Sequence, residues 1–422
     1  LGVPIPEDAL RQMEEKLDEI DFERVSEIEK ETKHDVMAHI HHFGEVAPLA
    51  KGYIHLGATS CDITDNADLI LMNKGLKVLE KKLQNLIYFL KEKALEYKKL
   101  PCLGYTHLQV AQPTTLGKRL SLYLQDFLQD FLDLKEILED FPLRGLKGAT
   151  GTQNSFLNLL GDEKKVEILE KRFVHLLGFY NVFPVTGQTY PRKMDCIIGD
   201  TLKGIGISAG KFSRDMRVMQ SFGEVQEPFG SKQVGSSAMP FKQNPMKMER
   251  VTSLSRYLIN LINSLDDMAS EQFLERTLDD SAQRRFVIPQ SFFMCDGILS
   301  LCIEVIKNIK VNEEIIKKRL KENLPFLSIE TILMEWVKKG GDRQVAHNIL
   351  KEEAIRAKNR KNTLFKNLLK RADFPFNEKE LKNLLKIKNF IGLAKVQVER
   401  FVKYYVEPHL KDFEEVSVEI KV

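Results

Sequence analysis

Apolar residues recur every three or four positions along most of this chain, which is the spacing of amphipathic α-helices. Between residues 7 and 43, for example, Leu10, Met13 and Leu17 fall on one helical face. Asp21 is a typical N-cap residue, so a second helix is expected to begin there. Before the last residues of the chain, no stretch alternates apolar and polar residues as a half-buried strand does. The pattern therefore predicts an all-α protein.

The middle of the chain is expected to contain a series of long helices. From Thr64 or Asp65 to Lys99 the sequence is rich in leucine and free of proline, which predicts one helix of roughly 35 residues and about 50 Å. Pro101 is expected to end this helix. Four further long helices are expected over residues 114 or 115 to 141, 194 to 222, 247 to 268, and from a cap at Asp280 or Ser281 to residue 309.

Beyond Val311 the predicted helices become shorter and richer in lysine, with breaks expected at Pro325, at Gly340 and at Pro375. In residues 416–422, apolar and polar residues alternate, as they do in a short strand. The lysine-rich stretches are most simply a solvated surface. The predicted domains are an N-terminal helical domain (1–58), a central bundle of long helices (59–311) and a C-terminal helical domain (312–422).

Composition and charge narrow the class of protein. A chain of 422 residues can bury a large core, and 63 basic against 60 acidic residues give a net charge of +3, too small to indicate a nucleic-acid or membrane partner. The five cysteines are scattered without CxxC spacing, which is typical of a reducing cytosol and argues against a zinc site. No apolar run reaches the roughly 18 residues of a membrane span, so we expect a soluble, cytoplasmic protein. Because the chain opens at Leu1 without a methionine, we also expect that a segment precedes it.

Four histidines lie close together near the N-terminus: His34, His39, His41 and His42. Imidazoles spaced by four or seven residues share a helical face and could bind a metal ion. No carboxylate or thiol nearby completes such a site, and histidines on a helix are more commonly solvated or hydrogen-bonded. We therefore expect no metal here.

The stretch from Gly235 to Arg250 has the composition of a reaction loop. Its small residues can expose backbone N–H groups, and Pro240 and Pro245 keep it from becoming helix. Lys242 and Asn244 lie between these prolines. Together with the serines of the loop, they suit a reaction in which negative charge develops on an oxygen beside a proton transfer. The alternative is an ordinary solvated loop between two helices.

Two other segments carry polar residues beside the ends of the first long helix. Thr59 and Ser60 precede it, where they could cap the helix or contact an anion, since helix starts favour both. Thr106 and His107 follow it on a loop that is expected to reach Pro113. A histidine on such a loop is commonly a surface group or a hydrogen-bonded one, so its role stays open at this point.

Two further stretches contain candidate anion-binding groups. Arg276 and Arg285 flank an expected helix start and could bind phosphate or carboxylates, or they could simply pair with Asp279 and Asp280. The glycine-rich stretch 145–154 could be mistaken for a phosphate cradle. It has neither P-loop nor GxGxxG spacing and no strand leads into it, so a nucleotide-binding fold is not indicated.

Three motifs of this chain resemble those of the fumarase/aspartase superfamily, in the same order and over nearly its whole length. They are residues 59–67, residues 104–113, and the loop from Ser236 to Pro245, whose form is most similar to that of the members that cleave adenylosuccinate. Gln243 departs from the pattern, because many relatives carry arginine there. That difference concerns a charge contact beside the loop and not the reaction.

The resemblance implies an all-α, fumarase/aspartase-like fold and a β-elimination that needs no metal or redox cofactor. The implied substrates are adenylosuccinate, which gives AMP and fumarate, and SAICAR, the related succinylated imidazole carboxamide nucleotide of purine synthesis, which gives AICAR. The implied assembly is a homotetramer in which three chains form each site. The predicted helix of about 50 Å supports sharing, because one small substrate cannot touch both Ser60 before it and His107 after it on a single chain.

Roles for individual residues follow from the same resemblance. It implies that His107 is the general acid and that Ser236 is the base, with Lys242 assigned to stabilise the carbanion charge. Glu249 lies near enough in sequence to orient Lys242 or a histidine. The residues implied to bind the substrate are Lys33, His34, Asp35, Thr59, Ser60, Thr106, Gln188, Asn244, Arg250, Arg276, Ser281 and Arg285.

Two other functions compete with this interpretation. One is a lyase of the same superfamily acting on argininosuccinate, malate or aspartate, against which Ala238 and residues 241–243 and 276–281 favour the nucleotide substrate. The other is a structural protein that kept the fold, as lens proteins of the superfamily did. The intact Ser236, Lys242 and His107 argue against it.

Overall fold

The computed structural model describes residues 1–230, 232–235, 237–357 and 363–418, and in these ranges it contains sixteen α-helices and six short strands. The prediction of an all-α protein is confirmed. Ser236, the predicted base, and residues 419–422 of the predicted C-terminal strand lie outside the described residues.

The elements are named in chain order. The helices up to Ser221 are α1 (Glu7–Glu15), α2 (Phe22–Thr32), α3 (Asp35–Val46), α4 (Ser60–Glu96), α5 (Leu116–Glu139), α6 (Asn154–Leu160), α7 (Glu163–Leu176) and α8 (Lys193–Ser221). The later helices are α9 (Met246–Ser270), α10 (Asp279–Lys307), α11 (Glu313–Leu327), α12 (Ile329–Lys338), α13 (Arg343–Ala357), α14 (Leu364–Leu368), α15 (Glu378–Leu384) and α16 (Ala394–Phe401). The strands form three pairs, β1 (Pro101–Thr106) with β2 (Gln109–Thr115), β3 (Pro142–Leu143) with β4 (Asn181–Val182), and β5 (Val225–Gln226) with β6 (Lys310–Val311).

The N-terminal amphipathic stretch forms three helices where two were expected. Asp21 caps α2 by accepting a hydrogen bond from Arg24 N at 3.0 Å, as predicted. The further break occurs because Lys33 takes a left-handed conformation, with φ of 55°, at the end of α2. His34 then caps α3, its Nδ1 accepting from Met37 N at 3.3 Å. A lysine in a left-handed conformation has no clear signature in sequence, so this break was missed.

The five long helices are confirmed with ends within a few residues of the prediction. The longest, α4, has 37 residues, which corresponds to about 55 Å. The predicted cap of α10 is wrong. The helix begins one residue earlier, at Asp279, whose N–H donates to Thr277 Oγ1 at 3.3 Å, while the Asp280 carboxylate binds arginines instead.

The segment expected to be a loop up to Pro113 is instead an antiparallel hairpin, formed by β1 and β2. Its turn consists of His107 and Leu108, both with positive φ, at 54° and 57°. Such a two-residue turn is normally marked by glycine or asparagine. Neither is present, so the sequence contained no hairpin signal.

The expected breaks in the C-terminal region are partly correct. Gly340 follows the end of α12, and Pro375 lies in the segment between α14 and α15. Pro325 does not break a helix, since it lies inside α11 close to its last residue, Leu327. There it removes at most one intrahelical hydrogen bond, because the helix has almost ended.

Contrary to the expectation from sequence, one described helix is long and apolar enough to cross a membrane by length and composition alone. This is α10, with a mean hydropathy of 1.7 over its most apolar window. A core helix meets the same criterion, and 56% of that window is buried inside the protein. Ile298, Leu299 and Cys302 are all at 0% exposure, so α10 has the burial of a core helix.

Contacts divide the chain into two compact units, and each of the five long helices contributes to both. Unit 1 consists of Leu1–Glu80, Leu132–Gly204 and Leu258–Cys295, and unit 2 of Lys81–Phe131, Ile205–Tyr257 and Asp296–Val422. The predicted division into three domains stays a prediction.

Helices in unit 1 approach one another closely at glycines. A Cβ atom at Gly75 of α4 would lie 2.8 Å from the ring of Phe292 on α10. At Gly199 of α8 it would lie 2.8 Å from Leu265 on α9. Since real Cβ contacts are longer than this, glycine at both positions allows the tight packing of the interior.

In unit 2, the C-terminal segment is held against α4 by a fully buried amide. Asn85 Nδ2 donates to the Glu414 carbonyl at 2.9 Å, and Val416 N donates back to Asn85 Oδ1 at 3.0 Å. Beside them, the rings of Phe413 and Tyr88 stack with centroids 4.0 Å apart. The backbone groups of the tail therefore find hydrogen-bond partners on α4.

We expect Asn85→Ala to lower the free energy of unfolding by about 1–3 kcal/mol, because it removes both hydrogen bonds that join the tail to a buried side chain of α4. Urea denaturation measures this. Lys81→Ala is the matched control, since Lys81 contacts the same tail residue, Glu414, only through an exposed ion pair of 3.5 Å. Equal stability of the two variants would contradict the role of the buried amide.

Candidate active site

Four residues from three separate segments of the chain meet at the start of α4 in unit 1. Because His34 Nδ1 accepts the cap hydrogen bond from Met37 N, its Nε2 is assigned the proton, and it lies 3.4 Å from Ser60 Oγ. The Arg285 guanidinium lies 3.8 Å from the Asp35 carboxylate. All four side chains are at least partly open to solvent, so they could contact a ligand. Thr59 and Ser60 lie at the start of the helix as expected, but α4 begins at Ser60 itself, four residues before the predicted start at Thr64.

Gln188 contacts Cys61 at the start of α4, and both its side chain and its main chain form hydrogen bonds with backbone carbonyls of other segments. Its Nε2 donates to the Ala149 carbonyl at 3.0 Å, and the Cys61 thiol lies 3.8 Å from its Oε1. The N–H of Gln188 donates to the carbonyl of Glu275 at 3.0 Å, next to Arg276. Gln188 is thus held between the start of α4, through its side chain, and the segment that leads into α10, through its backbone N–H.

A buried carboxylate, Asp62, organises this region and was not predicted. It is fully buried and accepts hydrogen bonds from Thr59 N and Lys147 N, each at 2.8 Å, and from Gly148 N at 3.2 Å. The Arg144 guanidinium also donates to it. The glycine-rich stretch is therefore an anion-binding nest, but its anion is a side chain of the protein itself.

Arg144 extends this network to the segment that carries Gln188. Its second terminal nitrogen donates to the carbonyls of Gly148, at 2.9 Å, and Gly187, at 3.3 Å. Because Asp62 and Arg144 are both at 0% exposure, these bonds cannot be replaced by water. The only sequence signal for Asp62 was an acidic residue in the first turn of a helix, which is also common on protein surfaces.

Two arginines and two aspartates that meet near the start of α10 form a largely buried ion-pair network in unit 1. Arg192 donates to both oxygens of Asp65, at 3.1 and 3.2 Å, and its Nε donates to Asp280 at 2.7 Å. Arg276 donates to the other Asp280 oxygen at 2.8 Å. Burial raises the pKa of Asp65, whereas for Asp280 the effect of burial is outweighed by Arg192 and Arg276, which lower its pKa.

Of the two alternatives for Arg276, ion pairing is observed, and it involves Asp280 rather than Asp279. Its side chain keeps 22% exposure, so part of the guanidinium stays accessible to a ligand. Ser281 lies in the first turn of α10 and is partly buried.

In unit 2, the loop predicted to react closes on itself. Asn244 Nδ2 donates to the Gly235 carbonyl at 2.9 Å, and a Cβ atom at Gly235 would lie 2.0 Å from the carbonyl oxygen of Lys242. Only glycine therefore fits at position 235. The Lys242 side chain is exposed. Ser236 lies outside the described residues, so its position relative to Lys242 stays a prediction.

The C-terminal part of this loop is fixed by Glu227 and Gln220. Its carboxylate, at 1% exposure, accepts from Lys247 N at 3.0 Å and Met248 N at 3.1 Å, the first N–H groups of α9. Burial raises the pKa of Glu227 in spite of these bonds. Gln220 accepts from Glu227 N at 3.1 Å and donates to the carbonyl of Gln243 at 3.0 Å. At the position that departs from the superfamily pattern, the main chain is therefore held independently of the side chain.

Four more predicted residues lie in unit 2. His107 is at the tip of the β1–β2 hairpin and is exposed, and Thr106 pairs with Gln109 beside it. Glu249 lies 3.8 Å from the guanidinium of Arg217, so the partner seen for it is an arginine, and its role towards Lys242 stays a prediction. Arg250 is exposed on α9.

The predicted site residues thus form two sets. Unit 1 contains Lys33, His34, Asp35, Thr59, Ser60, Gln188, Arg276, Ser281 and Arg285, and unit 2 contains Thr106, His107, Lys242, Asn244, Glu249 and Arg250. Within the described ranges, no group of three or more His, Cys, Asp or Glu residues is arranged to hold a metal ion. In the N-terminal histidine cluster, His42 instead accepts a hydrogen bond from Asp21 N at 3.0 Å.

Comparisons with known proteins show the fold and the family of this chain. A family model described as "Lyase" matches residues 5–259, and one described as "Adenylosuccinate lyase C-terminus" matches residues 325–401. The chain is similar in structure to a 3-carboxy-cis,cis-muconate lactonizing enzyme from Pseudomonas putida, with a TM-score of 0.83, 22% identity, and coverage of 96% of this chain and 90% of that one. It is also similar to a fumarate lyase from Mesorhizobium sp. BNC1, with a TM-score of 0.82, 24% identity, and coverage of 95% and 90%. These two structural similarities show the fold of this chain.

Similarity in sequence is higher to proteins named adenylosuccinate lyase. That of Saccharomyces cerevisiae is 43% identical over 97% of this chain and 87% of its own length. That of Schizosaccharomyces pombe is 42% identical over 99% of this chain and 89% of its own length. With both family models matched and nearly the whole chain covered, this protein belongs to the adenylosuccinate lyase family.

Proposed function

We propose that this protein cleaves adenylosuccinate to AMP and fumarate, and SAICAR to AICAR and fumarate, in purine nucleotide biosynthesis. The observation that carries the proposal is the similarity, at 42 to 43% identity over nearly the full chain, to proteins that bear this enzyme's name. The match of the C-terminal region to an adenylosuccinate lyase model favours this carbon–nitrogen lyase over other enzymes with the same fold. A cytoplasmic location is part of the proposal.

The proposed reaction is a β-elimination. A base removes a proton from Cβ of the succinyl group, and the neighbouring carboxylate takes up the charge as an aci-carboxylate. The C–N bond then breaks as an acid protonates the leaving nitrogen. We assign these roles to Ser236 as base, Lys242 as the cation that stabilises the aci-carboxylate, and His107 as acid. The exposure of Lys242 on a loop closed by Gly235 and Asn244 supports the assignment.

The unit 1 residues supply the proposed binding groups for the phosphate and the carboxylates. Arg285 is exposed beside Asp35, and Arg276 is partly exposed beside Asp280. Guanidinium groups bind phosphate and carboxylate oxygens through paired hydrogen bonds. The start of α4 adds the positive end of a helix dipole next to Ser60.

The length of α4 supports a site shared between subunits of a homotetramer. Ser60 is its first residue, and the helix is about 55 Å long. His107 follows β1, whose six residues span only about 20 Å even if fully extended back along the helix. A single nucleotide cannot bridge the remaining distance, so Ser60 and His107 of one chain would serve different sites.

The first experiment follows the ultraviolet absorbance of adenylosuccinate with the wild type and with Ser236→Ala. We expect the wild type to be active and the variant to lose turnover by orders of magnitude while it still binds substrate, because only the base is removed. Ser237→Ala is the matched control. Near-normal turnover of Ser236→Ala would remove Ser236 from the mechanism, and wild-type activity only on argininosuccinate, malate or aspartate would indicate another lyase of the superfamily.

The roles of His107 and Lys242 can be separated by a substrate whose leaving group needs no proton. Such a substrate should restore turnover of His107→Ala but not of Lys242→Ala, because charge on the carboxylate develops in either case. Lys232→Ala, at an exposed lysine before the same loop, is the control and should behave as the wild type. Equal restoration of both variants would contradict the assignment.

Subunit sharing predicts complementation between inactive variants. If Ser236→Ala and His107→Ala proteins are dissociated, mixed in equal amounts and re-associated, roughly a quarter of the sites should regain both residues. Each variant treated alone in the same way should stay inactive. A mixture without activity, in spite of measured subunit exchange, would show that one chain supplies both residues.

A further inference from the structure

The hairpin that presents His107 cannot hold its own position. A two-stranded hairpin is only marginally stable in water, so its tip depends on contacts made by the strands. At its base, Cys102 and Leu103 are buried, at 0% and 1% exposure. From Thr106 to Val110 the hairpin is exposed, so the last residue that can fix the tip lies between these two regions.

That residue is Tyr105, two positions before His107. Its hydroxyl accepts a hydrogen bond from the Arg319 guanidinium of α11 at 2.7 Å. Its ring stacks on Phe222 with centroids 5.2 Å apart. One face and the polar end of the side chain are therefore both held, which defines the direction in which β1 enters the turn.

Arg319 is itself fixed by a buried carboxylate. Its Nε donates to Glu224 Oε1 at 3.0 Å, and its guanidinium lies over the ring of Phe222 at 4.2 Å. The other Glu224 oxygen lies 3.6 Å from the guanidinium of Arg119, which donates to the carbonyl of Leu103. Two arginines thus extend from one carboxylate to alternate residues of β1. A planar guanidinium can make both contacts at once, which an ammonium group on a flexible chain cannot do equally well.

Glu224 has little freedom to move. It is at 1% exposure, its N–H donates to the Met219 carbonyl at 3.0 Å, and its carbonyl accepts from Asn312 N at 2.9 Å. The next two residues form β5, which pairs with β6. Three positions further, Glu227 holds the start of α9 behind the reaction loop. One short segment therefore anchors both the hairpin of the proposed acid and the loop of the proposed cation.

We propose that Arg319 is a positioning residue for proton donation, and that it acts through Tyr105 to set the position of the His107 imidazole. The inference deepens the proposed function and depends on it for the role of His107. Arg319 lies on α11 and donates through Nε to Glu224 and through a terminal nitrogen to Tyr105, so it joins the hairpin to its buried support.

The activity test uses Tyr105→Phe and Arg319→Gln. Both should lower kcat roughly tenfold or more with little change in KM, since a misplacement of about 1 Å can cost on the order of 10²-fold in rate. A substrate whose leaving group needs no proton should restore both variants, as it restores His107→Ala. Arg319→Lys should stay impaired in spite of its charge. Lys317→Gln, at an exposed lysine of the same helix, is the control.

Hydrogen exchange of the amides in residues 103–112 gives a second measurement that needs no substrate. Exchange should be faster in Tyr105→Phe and Arg319→Gln than in the wild type and in Lys317→Gln. If Arg319→Gln fails to fold, Tyr105→Phe still gives the answer, because it removes one oxygen and keeps the ring.

The outcomes separate this inference from the proposed function. A wild type without activity on adenylosuccinate would overturn the proposed function, and the exchange of the hairpin would still decide whether Arg319 positions it. Exchange and turnover at wild-type values in both variants would overturn the role of Arg319. Equal loss of turnover on both kinds of substrate would also overturn it, since the defect would then not concern the proton.

Discussion

The burial of the Asp62 carboxylate is the constraint on which the unit 1 part of the site depends. Removing an ionised carboxylate from water costs several kcal/mol unless hydrogen bonds replace the solvent, so its partners are obligatory. Those partners are the main chain at Thr59, the glycine-rich stretch at Lys147 and Gly148, and Arg144. Because Arg144 also binds the main chain before Gln188, one buried charge places three segments of the chain relative to one another.

The same physical logic recurs in unit 2 with two glutamates. Glu224 and Glu227 are both at 1% exposure, and each uses its carboxylate to hold a different element. The first binds Arg319 and thereby the hairpin, while the second binds the first N–H groups of α9. Segments with exposed tips, which must contact a substrate, are thus attached to rigid, buried polar groups. Placing a reactive group on a supported element in this way is what precise positioning requires.

The fold itself does not select the reaction. The likeness to a lactonizing enzyme and to a fumarate lyase shows that this architecture is shared by proteins named for different reactions. What distinguishes members must therefore lie in the side chains presented by the loops and helix starts. In this chain the buried carboxylates belong to the support, whereas His34, Ser60, His107 and Lys242 are open to solvent and can meet a substrate.

The sequence by itself determined the helices and the motifs, because helical periodicity, proline positions and caps such as Asp21 are local properties. The ends of the long helices could be predicted in this way to within a few residues. The members of the two residue sets were instead inferred from the resemblance of the motifs, and their roles stay predictions. The hairpin around His107 could not, since its turn lacks glycine and asparagine and its strands are stabilised by Arg119 and Arg319, which are distant in sequence.

Only the tertiary structure decided which polar residues are buried and what they bind. Asp62 and Asp280 look like ordinary acidic residues at helix starts, and Glu224 looks like a surface residue after a helix. The arginines that bind them from far along the chain are Arg144, Arg192 and Arg319, so no local pattern distinguishes these carboxylates from solvated ones. Burial and long-range pairing are properties of the packed molecule, and they are the reason that the support of the site had to be seen in three dimensions.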